Sequence, residues 1–270
     1  MKYYLYNPLS NNGIRPQFKE GVEPIEVVGL DYQKFFDELK EDDEVVLMGG
    51  DGTLNYFINA LDTEKIKQNV YLLPTGTGND FLHDIGGKPG EEVLINKYLK
   101  NLPTSYVNGK EVKFINGIGY GIDGYVCEVA EDIKKKTPNA KINYTTIAIK
   151  GLLFKFKQKE ATIIVDGKEY KHEHVWLAPS MKGRFYGGGM MIAPTQDRNS
   201  DELSLVILKC PSKLRTLAIF PSIFKGEHIK NEKIVTIYKG KEIEVRFSSP
   251  CTVQIDGEII LDVTSYKAKI

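Results

Sequence analysis

Cysteine is scarce in this sequence, and the few cysteines are far apart. The 270 residues include three, Cys127, Cys210 and Cys251, with no C-x-x-C pair among them. A disulfide framework or a cysteine zinc site needs paired cysteines, so neither is predicted. No charged-then-apolar leader follows Met1. These features lead us to expect a reduced, cytoplasmic protein.

Long apolar runs and net charge are also missing. The most apolar stretch, residues 145–156, is interrupted by Lys150 and Lys155. It falls short of the roughly 20 apolar residues that a membrane-spanning helix needs, so any membrane contact is expected to be peripheral. The 36 basic and 36 acidic residues cancel, and the hydrophobic fraction is 41%. That composition excludes a disordered chain and, at this length, predicts two domains.

The charge is nevertheless divided unevenly along the chain. Residues 1–104 carry 10 Lys+Arg and 17 Asp+Glu, a net of −7, whereas residues 105–270 carry 26 and 19, a net of +7. Residues 133–159 contain eight lysines and no acid. This run is either an ordinary solvated face or a patch for anionic phospholipid headgroups. A nucleic-acid partner is not expected, because no recognition-helix or RNP-like pattern accompanies the lysines.

The two parts of the chain have different secondary-structure patterns. The first part alternates short apolar runs with helical patterns: strands over 2–8, 44–48 and 70–74, and helices over 31–40 and 53–61. The second has three hairpin patterns around Asn-Gly or Asp-Gly, over 106–114, 163–172 and 253–261, with one helix over 125–136. The prediction is an N-terminal parallel α/β domain, residues 1–104, and a C-terminal antiparallel β-sandwich domain, residues 105–261.

Two glycine-rich loops follow neighbouring predicted strands, MGGDGTLN at 48–55 and LLPTGTGNDF at 72–81. Glycines let phosphate oxygens approach the backbone, and a helix start presents free N–H groups. Asp51 and Asp80 suit Mg²⁺ or a hydroxyl network better than a bare phosphate. One loop alone is compatible with a tight turn that has Asp51 near the helix N-cap. Two loops at one sheet edge favour a ligand site.

The motifs of the second half are less specific. Gly119, Gly121 and Gly124 form G-x-G-x-x-G, but hairpins follow where a dinucleotide fold needs a βαβ unit, so that function is not favoured. Asp123 in this turn is a third candidate carboxylate. Glu258 follows Asp-Gly, and by itself this position needs no more than a surface hairpin.

Other catalytic chemistries find little support. His172 and His174 could share one strand face, but a third metal ligand with recognisable spacing is missing. No Ser or Cys occupies a G-x-S-x-G elbow, so covalent catalysis has no candidate nucleophile.

Together these motifs resemble the diacylglycerol kinase catalytic-domain family, in particular its soluble bacterial lipid kinases. The resemblance is carried, in order along nearly the whole chain, by NP (7–8), GGDGTLN (49–55), PTGTGNDF (74–81), GIDG (121–124), YGGGMMIAP (186–194) and QIDGE (254–258). GGDG alone is shared with NAD kinases and phosphofructokinases. NAD kinases lack GTGND, which therefore discriminates better.

The resemblance implies a two-domain, ATP- and Mg²⁺-dependent kinase with ATP between the domains and a last strand, about 262–270, that returns to the first domain. The implied ATP contacts are Asn7, Gly49, Gly50, Gly52, Thr53, Asn55, Gly76, Thr77 and Asn79. Asp51, Asp80 and Asp123 are implied to organise Mg²⁺ and water, and Glu258 to be the general base. A structural Mg²⁺ would use Asp201 and the Leu203 carbonyl.

Four positions depart from the family pattern. Tyr56 stands where Glu is usual, Ala60 where Gly is usual, 200–204 lacks a turn glycine and one acid, and 10–13 alters the phosphate-binding Ser-Gly. The expected activity is phosphorylation of a diacylglycerol-like lipid at the inner membrane surface, with anionic phospholipid as a partner and a homodimer as a family-level expectation. The alternatives are a kinase of a soluble substrate such as NAD and a non-catalytic nucleotide sensor.

Overall fold

The computed structural model describes residues 1–8, 24–76, 78–137, 140 and 142–270. It divides the chain into two compact units, Met1–Leu102 and Pro103–Ile270. The division lies two residues before the junction predicted after residue 104. Thr77 and the altered segment 10–13 lie outside the described residues.

Within the described part of the first unit, five strands form a sheet in the order β2-β1-β3-β4-β5. The strands are β1 (Lys2–Tyr6), β2 (Pro24–Glu26), β3 (Glu44–Gly49), β4 (Asn69–Pro74) and β5 (Val93–Leu94). The helices are α1 (Tyr32–Glu38), α2 (Asp51–Ala60) and α3 (Asp80–Asp84), with 3₁₀ turns at Thr63–Lys65 and Asn96–Tyr98. Strands β1, β3 and β4 are parallel as predicted, and β2 is a further parallel strand that was not predicted. Strand β5 is antiparallel to β4, so the sheet is mixed.

The apolar run of β3 explains its central place in this sheet. Val45, Val46 and Leu47 have no exposed surface, as expected for a strand covered on both faces. On α1 and α2, Tyr32 and Phe57 pack edge to face with ring centroids 5.5 Å apart. The well-packed strands fix the positions of the loops that leave their carboxyl ends.

Among the described residues of the second unit, ten strands form one sheet. They are β6 (Thr104–Val107), β7 (Lys110–Lys113), β8 (Gly117–Tyr120), β9 (Lys159–Val165), β10 (Lys168–Leu177), β11 (Ser180–Met181), β12 (Leu203–Lys209), β13 (Val235–Gly240), β14 (Glu242–Ile255) and β15 (Glu258–Lys269). The pairings are antiparallel. The long strand β14 pairs with both β8 and β9, which closes the sheet on itself.

Helices cover part of this sheet. They are α4 (Ile122–Lys136), α5 (Tyr144–Lys150), continued by a π-helical turn at Gly151–Lys155, and α6 (Lys213–Ile223), with a 3₁₀ turn at Glu227–Lys230. One apolar cluster fills the interior of the closed sheet, and a second lies where α4, α5 and α6 pack on it. None of the described helices is long and apolar enough to cross a bilayer.

The three predicted hairpins are confirmed. Their turns place Asn108, Asp166 and Asp256 at φ of 49°, 47° and 47°, each followed by a glycine that also has positive φ. These are the left-handed conformations that a two-residue hairpin turn requires, and Asn, Asp and Gly adopt them most easily.

The return of residues 262–270 to the first unit is not found. Strand β15 pairs with β14 and with β6, and both of these strands belong to the second unit. The physical reason is its alternating apolar face, because Val263, Tyr266 and Ala268 are at most 1% exposed inside the closed sheet. Withdrawing the strand would open this core.

Candidate functional site

Backbone hydrogen bonds join the two glycine-rich loops at the carboxyl ends of β3 and β4. The parallel register places Gly49 opposite Pro74. Beyond the strands, the Thr75 N–H donates to the Gly49 carbonyl at 3.1 Å, and the Asp51 N–H donates to the Gly78 carbonyl at 2.9 Å. The loops therefore behave as one connected element. The two loops lie at one edge of the sheet, as predicted.

Both oxygens of the Asp51 carboxylate accept backbone hydrogen bonds from the second loop. Oδ2 accepts from the Asp80 N–H at 2.8 Å and Oδ1 from the Phe81 N–H at 3.0 Å. Asp51 thus caps α3, a helix about 30 residues further along the chain, rather than its own helix α2. Asp51 is also the first residue of α2, next to the N-cap Gly50, as the turn interpretation predicted. Replacing it disturbs loop positions as well as any chemistry.

The start of α2 is exposed at the same edge. A methyl group added at Gly52 would meet nothing within 4 Å. The N-terminus of this ten-residue helix carries a positive dipole end that favours an anion. Nearby, the Asn79 amide donates to the Gly76 carbonyl at 2.9 Å, while its Oδ1 is buried without a hydrogen-bond partner in the described part of the chain. Phosphate oxygens suit the exposed helix start, and a cation or a hydrogen-bond donor suits Oδ1 of Asn79.

The other residues predicted in the first unit occupy this edge or support it. Asn7 directly follows β1, the neighbour of β3. Thr53 packs so closely on Gly49 that a side chain at 49 would overlap it. Asn55 and Asp80 are 7% exposed. Thr77 cannot be placed, because it lies outside the described residues.

Two glycine substitutions in the first loop are expected to change stability in opposite directions. A methyl group at Gly50 would overlap the Gly78 carbonyl oxygen, so Gly50→Ala should destabilise the protein by about 1–3 kcal/mol. Gly52 is helical and open to space, so Gly52→Ala should stabilise it by about 0.5–1 kcal/mol. Urea unfolding of both variants measures this. Equal stability of Gly50→Ala and the parent would contradict the joined-loop geometry.

In the second unit, the Asp123 carboxylate is buried in the first turn of α4. Its Oδ1 accepts the Gly124 N–H at 3.1 Å, and its Oδ2 has no hydrogen-bond partner among the residues described. Burial raises the pKa of Asp123 to about 6, and the Gly124 N–H and, more weakly, the Tyr186 side chain oppose this shift. A buried, half-satisfied carboxylate costs stability, which makes it a functional candidate.

Glu258 is exposed at the first residue of β15, directly after a turn that is held firmly. The Asp256 carboxylate of that turn accepts three backbone N–H groups, from Ile115 at 2.6 Å and from Asn116 and Gly117 at 2.9 Å. The Gly257 N–H donates to Gln254 Oε1 at 2.7 Å. The hairpin therefore fixes the backbone from which Glu258 projects.

A buried arginine supports the same segment and was missed by the sequence analysis. The Arg198 guanidinium is 8% exposed and donates to the Ile115 carbonyl and, at 2.7 Å, to Asn116 Oδ1. Its partners are about 80 residues away in sequence, so no local pattern identifies it. Arg198 and Asp256 together hold residues 115–117 from both sides.

The thiol of Cys127 lies within electrostatic reach of both carboxylates. Burial raises its pKa to about 12, and the nearby charges of Asp123 and, more weakly, Glu258 add to the shift. Both carboxylates therefore act on one point of α4. The thiol stays protonated at neutral pH, and a protonated thiol is a poor nucleophile.

The predicted structural Mg²⁺ does not fit Asp201 and Leu203. The Asp201 carboxylate pairs with the Lys241 ammonium, which lowers the pKa of Asp201. Nearby, the Lys182 ammonium donates to the Ser200 carbonyl at 2.7 Å. No group of three or more His, Cys, Asp or Glu side chains suited to a metal occurs in the described ranges. Lysines supply the positive charge at this loop.

Chelation is accordingly expected to leave the stability of the nucleotide-free protein unchanged. The melting temperature should be the same with EDTA as with excess Mg²⁺, because the Lys241 ammonium rather than a metal ion neutralises Asp201. A fall of several degrees in the melting temperature on EDTA addition would show that a structural metal ion is present.

Comparison with known proteins agrees with this architecture. Residues 7–106 match the model of the diacylglycerol kinase catalytic domain, and residues 116–267 match the YegS C-terminal NAD kinase beta sandwich-like domain. A diacylglycerol kinase of Mycobacterium tuberculosis (strain H37Rv) is 27% identical over 94% of this chain and 87% of its own length. One of Bacillus subtilis (strain 168) is 29% identical over 82% of this chain and 72% of its own.

A solved structure shows the same fold. A diacylglycerol kinase structure from Bacillus anthracis str. Sterne aligns with a TM-score of 0.66 at 20% identity and covers 99% of this chain and 93% of that one. The family models together span nearly the whole sequence in the order that the motifs predict. The chain belongs to the diacylglycerol kinase catalytic-domain family of bacterial lipid kinases.

Proposed function

We propose that this protein is an ATP- and Mg²⁺-dependent lipid kinase that transfers the γ-phosphoryl group to the hydroxyl of diacylglycerol, which gives phosphatidic acid. The observation that carries the proposal is the joining of the two glycine-rich loops, by Asp51 and its neighbours, beside the open N-terminus of α2. Family membership directs this anion-binding edge toward a nucleotide.

The nucleotide phosphates are assigned to the first unit. The backbone N–H groups at the start of α2 and the open space at Gly52 would receive them, with Asn7, Thr53 and Asn79 nearby. The first unit fits a cation as well, because Asn79 Oδ1 is a buried oxygen without a partner in the part of the chain described. Mg²⁺ bound by such oxygens would neutralise charge on the transferring phosphoryl group.

The acceptor hydroxyl is assigned to the second unit. Glu258 is exposed on a rigid hairpin and can accept the hydroxyl proton as a general base. Asp123, whose pKa of about 6 leaves it mostly ionised at neutral pH, would hold a cation or water near that carboxylate. Phosphoryl transfer needs charge compensation and positioning rather than a covalent intermediate, so these groups suffice.

An acceptor panel tests the proposal. The protein is incubated with γ-labelled Mg-ATP and, in parallel, with diacylglycerol, ceramide, NAD or no acceptor, and the products are separated. Label in phosphatidic acid is the expected result. Label in NADP would replace the proposal by the soluble-substrate kinase, and nucleotide binding without any labelled product would replace it by the sensor.

A further inference from the structure

The second unit contains two long segments without an acidic residue. Residues 133–159 hold eight lysines, and residues 203–226 hold Lys209, Lys213, Arg215 and Lys225. Neither segment contains Asp or Glu. A single basic run is common on protein surfaces, so the first segment alone says little. The second segment was not recognised from the sequence, and its meaning depends on where it lies.

Two hydrogen bonds bring these segments together. The Lys213 ammonium, at the start of α6, donates to the Leu153 carbonyl in the π-helical turn at 2.8 Å. The Gln158 amide donates to the Pro211 carbonyl at 3.3 Å. Beneath them, Leu152, Leu153 and Leu217 belong to one apolar cluster. The start of α6 and the π-helical turn therefore form one continuous, basic surface.

Two large apolar side chains stand outward on this surface. Phe154 is 75% exposed and Leu214 is 73% exposed, and each directly follows a residue of the Lys213–Leu153 hydrogen bond. Apart from Met1, they are the most exposed large apolar side chains in the described ranges. Leu152 below is 3% exposed, so the two tips project from a packed base.

We propose that this surface binds the headgroup region of an anionic phospholipid bilayer. The docking face consists of Lys150, Phe154, Lys155, Lys157, Lys213, Leu214 and Arg215. Lysines near an anionic bilayer each strengthen binding by a factor of roughly five, and apolar tips can enter the headgroup boundary. The inference rests on the proposed function only in that a kinase of lipids must reach a lipid surface.

Vesicle sedimentation tests the docking face, with phosphatidylcholine vesicles prepared with or without phosphatidylglycerol. The vesicles contain no diacylglycerol, and no nucleotide is present. One variant combines Phe154→Ser with Leu214→Ser, and another combines Lys155→Glu with Lys157→Glu. The matched controls combine Leu94→Ser with Leu261→Ser, which are 48% and 51% exposed elsewhere, and Lys110→Glu with Lys168→Glu.

The parent protein should bind only the anionic vesicles, and added salt should weaken binding. The apolar variant should bind at least about tenfold more weakly, the charge variant at least about twentyfold, and the controls like the parent. All four variants should keep the parent's melting temperature because the altered side chains are exposed. Docking variants that bind like their controls, or a parent that binds no anionic vesicle, would overturn the docking face.

The outcome is independent of phosphoryl transfer. Loss of binding in the docking variants alongside a failed acceptor panel would remove the proposed function and leave the docking face intact. Formation of labelled phosphatidic acid, together with docking variants that still bind vesicles like the parent, would support the proposed function and remove the docking face.

Discussion

Replacing Asp123 with Asn should lower activity strongly and change how stability depends on pH. The Asp123 carboxylate is buried with Oδ2 unpartnered, and the raised pKa of about 6 measures what its charge costs in the folded state. The shift from 3.8 corresponds to about 3 kcal/mol at neutral pH. Asn keeps the acceptor for the Gly124 N–H and removes the charge. We expect activity to fall at least about 100-fold.

The sign of the pH effect follows from the raised pKa. Below pH 3.8 the carboxyl group is neutral in both the folded and the unfolded protein, so its burial carries no charge penalty and its contribution to stability is fully present. As pH rises through about 6 the folded protein must ionise a buried group, and that contribution is lost. Relative to Asp123→Asn, the free energy of unfolding of the parent should therefore fall by about 2 kcal/mol between about pH 4.5 and about pH 7.5.

Urea unfolding of the two proteins at both pH values measures this difference. Asp132→Asn, which changes an exposed residue of the same helix, is the matched control and should follow the parent. Parallel stability profiles for the parent and Asp123→Asn would show that Asp123 carries no buried charge and would remove its assigned role.

Glu258→Gln should lower kcat by about 10²–10⁴-fold and leave ATP affinity unchanged. Gln keeps the shape of the side chain but cannot accept the hydroxyl proton. Glu258 is exposed, so stability should not change. Steady-state kinetics and nucleotide titration on one preparation separate the two quantities. Glu111→Gln, one residue beyond the turn of another hairpin, is the control and should keep full activity.

Asp256→Asn distinguishes a catalytic from a positioning role in the same hairpin. One amide oxygen cannot replace a carboxylate that accepts three backbone N–H groups, so both stability and kcat should fall. The pH dependence of kcat should remain that of the parent, because Glu258 is still present.

An unchanged kcat in the Glu258→Gln protein would contradict the assignment of Glu258 as the general base.

Local patterns in the sequence predicted the secondary structure well where the pattern is repeated or the turn chemistry is strict. The apolar run of 44–48 and the Asp-Gly turns are of this kind, and the strand and the hairpins are found as predicted. Helix α2 begins at Asp51, two residues before its predicted start. Gly50 occupies the N-cap of α2, and the Asp51 side chain caps α3 instead.

Long-range contacts could not be predicted in the same way. Asp256 binds backbone groups about 140 residues earlier, and Arg198 binds others about 80 residues earlier, so neither role leaves a local pattern. The basic surface arises because α6 lies beside the π-helical turn. The position of β15 depends on the core that its apolar face completes. The periodicity of the sequence alone does not identify that core.

Transfer of label from γ-labelled Mg-ATP to diacylglycerol in mixed micelles, by the parent and by Glu258→Gln side by side, tests the lipid-kinase activity and its general base in one experiment. Nucleotide binding is measured on the same two preparations. We predict phosphatidic acid from the parent, almost none from the variant, and equal nucleotide binding by both. Nucleotide binding by the parent without any phosphatidic acid would contradict the lipid-kinase account.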